Sequence, residues 1–194
     1  ALAESDFPAL DAARGEEMGA AVLAAKADRD SVGGVTETAV TGMPAGVGEP
    51  WFDSVEGQLS HALFSLGGVK GIEFGAGFAL AGMRGSEAND PFAVRGGRIV
   101  TLKNNSGGVN GGITNGMPIV FRCAVKPTPS IGRAQASVSY TEKKETVLEI
   151  PGRHDPAIVR RICPVIDAVT AFVLCDMLAV RYGGDIFTRG REAF

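Results

Sequence analysis

From Pro156 to about Arg181 the chain has almost no polar face, and this stretch constrains the fold more than any other. Ile158, Val159, Ile162, Val165, Ile166, Val169, Phe172, Val173, Leu174, Met177 and Val180 leave little of a helix's circumference polar. A helix apolar almost all round is predicted to be buried, with strands packed outside it and helices inside. Arg160, Arg161, Asp167 and Asp176 interrupt the run, which argues against a membrane span of ~20 apolar residues. Pro164 removes one backbone hydrogen bond and predicts a kink.

The preceding residues supply the other elements. Residues 11 to about 28 read as an exposed, alanine- and glutamate-rich helix with Asp11 as N-cap. Residues 31–41 carry Val32, Val35, Thr36, Thr38, Val40 and Thr41 and read as a strand. Residues 43–50 hold too much glycine and proline for regular structure. From 53 to about 66, Val55, Leu59, Leu63 and Leu66 form one helical stripe, which Ala62 and Phe64 are expected to broaden. A strand follows at 69–74, then a polar surface excursion over 83–102 that ends in a short strand at 98–102. Residues 118–125 form a strong strand candidate, and 135–140 with 145–150 a hairpin whose second arm alternates in polarity. No linker divides the chain, so residues 1–194 read as a single domain.

Composition narrows the function classes. A net charge of −3 gives no basic field for nucleic acid or anionic membrane, so any bound phosphate must be held by local groups. The three cysteines share no metal-ligand spacing and suit a reducing, cytoplasmic compartment. No signal peptide opens the chain, and a start without methionine suggests excision from a longer chain or processing. Of the 27 glycines, 12 fall in six adjacent pairs, which suits tight turns or a ligand lying against bare backbone.

Three segments carry candidate chemistry. In Arg153-His154-Asp155-Pro156, Asp155 reads either as a helix N-cap followed by proline or as a carboxylate poised to accept a proton. Lys126-Pro127-Thr128-Pro129-Ser130 is stiffened by two prolines; it is an anion cradle or simply a proline-rich strand end. The loop from Asn104 to Gly116 has many amides unshielded by side chains, able to point at a phosphate or a flavin edge. His61 lies on the apolar helix and reads as a core or edge histidine. With two histidines and no close cysteine pair, no zinc site is argued.

These segments fall in a series that resembles chorismate synthase. Ser31-Val32-Gly33-Gly34-Val35, Gly46-Val47-Gly48-Glu49-Pro50, Val69 to Gly75, and Arg84-Gly85-Ser86-Glu87 with Asn89-Asp90 look like successive blocks of that family. The Asn104 to Gly116 loop, Lys126 to Ile131 and Gly152 to Pro156 complete the series in family order. The resemblance implies an α+β fold, a β-α-β sandwich with buried central helices, matched here over the C-terminal half. It implies a homotetrameric enzyme that uses reduced FMN to convert 5-enolpyruvylshikimate 3-phosphate to chorismate by 1,4-elimination of phosphate. Flavin contacts would fall on Gly67, Gly68, Gly111, Lys126, Pro127, Thr128, Pro129, Ser130 and Arg153, and Asp155 would act on the flavin N5 proton. Gly67-Gly68 stands where the family has Asn-Ala, so only backbone contact is implied there. Ala157 and Asp167-Ala168-Val169 also depart from the family pattern. The family's Gly-Glu-Ser-His-Gly, second histidine and Arg-Ser-Ser-Ala-Arg blocks do not occur in this sequence. The chain alone is therefore expected to be inactive, and a non-catalytic flavin-binding or assembly module is the alternative.

Overall fold

The computed structural model describes residues 8–189. Two compact units divide the chain: residues up to Gly34 together with Val125–Pro164, and Val35–Ala124 together with residues from Val165 onward.

The first unit opens with α1 (Ala12–Ala27). Asp11 caps it as expected, its Oδ1 accepting from the Ala13 and Arg14 amides at 2.9 and 3.2 Å. Only Ala25 of this helix is buried. The hairpin of β8 (Gln135–Ser139) and β9 (Lys144–Leu148) belongs to the same unit, in antiparallel register with Gln135 opposite Leu148. Its turn falls at residues 140–143, with Lys143 at φ +52°. The predicted hairpin is present, but every residue of β9 is exposed, so its alternation does not separate a buried face from a wet one.

The second unit is built on a three-stranded sheet in the order β1 (Gly34–Val40), β7 (Ile119–Val125), β2 (Val69–Phe74). Strand β7 alternates regularly, burying Ile119, Phe121, Cys123 and Val125. Against this core lies α2 (Val55–Phe64), with Val55, Leu59 and Leu63 fully buried on the predicted stripe. Burial of each such side chain contributes about 1.5–3 kcal/mol. Phe64 does not join that face; it is half exposed, because one residue past Leu63 turns it about 100° around the axis. Ser54 caps α2, its Oγ accepting from the Gly57 amide, while Asp53 instead holds the Gln58 amide group. The excursion after β2 contains more order than expected. A short α3 (Gly85–Ala88) precedes a hairpin of β3 (Phe92–Arg95) and β4 (Arg98–Thr101), of which the sequence revealed only β4. A second small hairpin joins β5 (Val109–Asn110) to β6 (Ile113–Thr114).

The long helix α4 runs from Val159 to Tyr182, with Pro164 inside it, and a short α5 (Ile186–Arg189) follows. Mixed helices and sheets make the fold α+β, as expected. The burial of α4 differs from expectation. Ile162, Ile166, Thr170, Leu174 and Met177 are buried along one stripe, but Phe172 and Val180 are largely exposed. An all-round apolar helix needs neighbours on every side, and the described residues cover one. By length and composition α4 would also suffice to cross a membrane, with 28% of its most apolar window buried.

Candidate functional site

Three segments of the first unit are fastened together around the predicted residues. The Val32 amide donates to the Pro156 carbonyl at 2.8 Å, and the Ser31 hydroxyl to the Thr128 carbonyl at 2.6 Å. The Gly132 amide donates to the Arg29 carbonyl, and Arg133 pairs with Asp30 at 3.0 Å. Gly33 has a steric reason: a Cβ there would lie 2.4 Å from the Val125 carbonyl oxygen and 3.0 Å from the Pro127 ring.

His154 joins two of the predicted runs directly. Its Nε2 lies 2.8 Å from the Ile150 carbonyl and its Nδ1 3.1 Å from the Ser130 hydroxyl. A carbonyl only accepts, so Nε2 carries a proton, and in the neutral imidazole the Ser130 hydroxyl donates to Nδ1. This bond ties the Lys126-Pro127-Thr128-Pro129-Ser130 turn to Arg153-His154-Asp155. Sequence reasoning singled out the run that holds this histidine but gave the imidazole no role, since nothing in the spacing announces a bond across 24 positions.

Asp155 is not the N-cap of α4. The helix begins at Val159, and the Pro156 carbonyl, which an earlier start would turn into the helix, is taken by Val32. Instead Asp155 Oδ1 accepts from the Ala157 amide at 3.2 Å, closing a short local turn. Its Oδ2 lies 3.3 Å from Arg161 Nη1, yet is buried with no hydrogen bond. The Thr128 hydroxyl is likewise buried without a partner. A buried polar atom left unmatched is costly, so the Thr128 hydroxyl suits contact with a polar group supplied from elsewhere, while Asp155 Oδ2 has the Arg161 guanidinium beside it. Lys126, Pro127 and Pro129 are exposed. A cavity of about 500 Å³ is lined by Arg153 and His154 together with Lys26, Arg29, Glu149 and Gly152, among others. Asp155 and the Lys126–Ser130 turn lie outside its lining.

Gly67, Gly68 and Gly111 belong to the second unit. Gly68, at φ +101°, turns the chain between α2 and β2. Gly111 and Gly112 form the corner of the β5–β6 hairpin at φ +60° and +88°. The Gly112 carbonyl accepts from the Val55 amide at 2.9 Å, so this corner abuts the start of α2. Gly67-Gly68 and Gly111 thus lie at opposite ends of a helix about 15 Å long. A Cβ built on Gly67 or Gly111 would meet nothing within 4 Å, so neither is glycine because of a close approach inside the unit.

The amides of the glycine-rich loop differ most from expectation. Asp90 Oδ1 accepts from the Asn105 amide at 2.8 Å and Oδ2 from the Ser106 amide at 2.9 Å. The Gly107 and Val109 amides donate to the Asn104 and Ser106 carbonyls. The anion held by this part of the loop is the protein's own carboxylate. Glu73 plays a related part, pairing with Arg122 at 2.9 Å and accepting from the Phe78 amide. Trp51 takes φ +69° while the residue is 84% exposed, its ring edge-on to that of Phe52 at 6.2 Å. A bulky residue in that region is strained, and nothing in the sequence marked it. Cys123 is buried beside Thr36; burial pushes its thiol pKa up more than the hydroxyl lowers it.

Comparison with known proteins bears on the sequence and the fold. The sequence model of the family described as chorismate synthase matches residues 1–179. Chorismate synthase of Methanocella arvoryzae is 51% identical over 174 residues, covering 90% of this chain and 45% of that protein. That of Pyrococcus abyssi is 48% identical over 166 residues, covering 86% and 47%. A crystal structure of chorismate synthase superposes with a TM-score of 0.74 at 31% identity, over 93% of this chain and 47% of that one. The chain spans about half the length of the curated relatives it matches. On sequence and fold together, it belongs to the chorismate synthase family.

Proposed function

We propose that this chain forms one half of an FMN-dependent chorismate synthase acting on 5-enolpyruvylshikimate 3-phosphate. The observation that carries this reading is the Ser130–His154 bond, which fastens the cationic turn to the run bearing Arg153 and Asp155. Two buried oxygens without a hydrogen bond, that of the Thr128 hydroxyl and the Asp155 Oδ2 that faces Arg161, suit a polar ligand, and the residue types suit FMN. Lys126 and Arg153 supply positive charge for its phosphate and ring oxygens, while Thr128 and Ser130 supply hydroxyls on a stiff backbone. Asp155 accepts and returns a proton at Oδ2, the oxygen without a hydrogen-bond donor. By family position, Gly67, Gly68 and Gly111 would offer bare backbone to a flavin within the second unit taken by itself. Bound reduced flavin supplies transient electron density while phosphate and a ring proton leave, with no net redox change. A homotetrameric assembly and a cytoplasmic location belong to the same reading.

The residues that act on the substrate's own charged groups lie in family blocks that this sequence does not contain. The chain by itself is therefore expected to bind reduced FMN weakly and to form no chorismate from the enolpyruvyl substrate. Anaerobic flavin titration with an absorbance assay for chorismate tests both statements. Lys126→Glu should weaken the flavin response about tenfold or more, since it reverses a charge that faces phosphate. Product formation by the chain alone would overturn the division of labour, and an FMN response indifferent to Lys126→Glu would overturn the cofactor reading.

A further inference from the structure

One cavity of the first unit touches the proposed flavin contacts through Arg153 alone. About 500 Å³ in volume, it lies beside the C-terminal end of α1, with Lys26, Arg29, Arg153 and His154 among its walls. Its two carboxylates are already engaged: Glu149 pairs with Arg29 at 2.8 Å and Asp30 with Arg133 at 3.0 Å. Lys26 and Arg153 have no acidic partner among the described residues, so the cavity holds two uncompensated cations in a chain of net charge −3. Ile150, Pro151 and Pro156 line it without charge. The walls are firmly tied. Arg29 takes φ +56°, a region costly for any residue with a Cβ. Its carbonyl accepts from the Gly132 amide at 3.0 Å, while its guanidinium is held by Glu149. Gly132 is buried, and a Cβ there would lie 3.3 Å from Arg29 Cβ and 3.6 Å from the His154 ring. His154 is fixed at both ring nitrogens, by Ile150 and Ser130. Backbone strain retained under several ties is a mark of a preshaped site.

We propose that this cavity is a second binding site, which takes a small ring-bearing dicarboxylate and shares Arg153 with the flavin contacts. Lys26 and Arg153 each meet one carboxylate, and the ring lies against the proline and isoleucine lining. A metal cation fits poorly, because arginine already occupies both acids. An inorganic anion answers the charge but leaves the apolar lining wet. A bound dicarboxylate draws Arg153 away from the flavin, so the two ligands weaken each other reciprocally. That antagonism rests on the cofactor reading; occupation of the cavity does not.

The test titrates the chain with isophthalate and follows its amide NMR spectrum. The amides of Gly132, Ile150 and Gly152 should shift along one saturating curve, with an affinity that falls as salt is raised. Benzoate lacks the second carboxylate and inorganic phosphate lacks the ring; each should bind about tenfold or more weakly. Lys26→Gln should weaken isophthalate by a similar factor and leave the reduced-FMN response unchanged, the same spectra showing that the variant is folded. Saturating isophthalate should weaken that FMN response about threefold or more in wild type, and far less in Lys26→Gln. Shifts confined to residues 126–130, an affinity indifferent to Lys26→Gln, or equally tight binding of phosphate would each overturn the site. An FMN response untouched by bound isophthalate would overturn the sharing of Arg153. No FMN response at all would defeat the cofactor reading and the antagonism with it, while the amide shifts would still decide the cavity.

Discussion

Single residues explain why some blocks of this sequence are as they are. Gly33 was legible only as part of a family block; its cause is the Val125 carbonyl, which leaves no room for a methyl group. Gly33→Ala should cost about 1–3 kcal/mol by forcing the strand start away from Pro127, measured by urea unfolding. The helix-cap reading of Asp155 was a misreading of architecture. Its sequence context is that of a helix cap, but a long-range bond from Val32 to the Pro156 carbonyl delays the helix to Val159. Local propensity could not foresee that bond. In a complete enzyme built from this chain and the remaining half of a relative, Asp155→Asn should cut turnover at least about a hundredfold, the usual scale for losing a general base, with the urea midpoint almost unchanged. Full activity in that variant would leave Asp155 with only its local turn and its ion pair to Arg161.

At the level of elements, the sequence spoke clearly wherever a local signal coincided with a face to bury. The stripe of α2 and the apolar run of β7 were readable for that reason, whereas Asp11 before α1 and the polar turn of the β8–β9 hairpin were readable from local chemistry alone. The strand β3 was not. Its Phe92 and Val94 point into no core of their own unit, so nothing distinguished them from a loop. The second face of α4 was misjudged for a related reason: hydrophobicity says that a side chain is to be covered, never by which polypeptide. Because α1 is mostly exposed, its stability depends heavily on its ends. Asp11→Ala should remove about 1 kcal/mol from it. Hydrogen exchange should show faster exchange across Ala12–Ala27 while the amides of α2 are unaffected.

For the whole molecule, pH offers a probe of core integrity through Cys123. Burial raises its folded pKa above the ordinary 9.0, so the unfolded chain ionises first as pH rises. Its contribution is fully present below about pH 9 and is lost as pH climbs through the folded value. Urea unfolding of wild type and Cys123→Ala at pH 7 and pH 10 should show a larger alkaline loss in wild type; equal losses would mean that the thiol is not sealed. The arrangement into two compact units was not legible from a chain without linkers, because each unit draws on segments far apart in sequence. The glycine-rich loop has a consequence at this scale. Asp90 is tethered to the two amides it occupies, so no solution oxyanion can compete with it on equal terms. The loop is consequently in shape before any guest arrives. Asp90→Asn would weaken that internal grip and leave backbone donors available to chloride, sulfate or phosphate from the buffer.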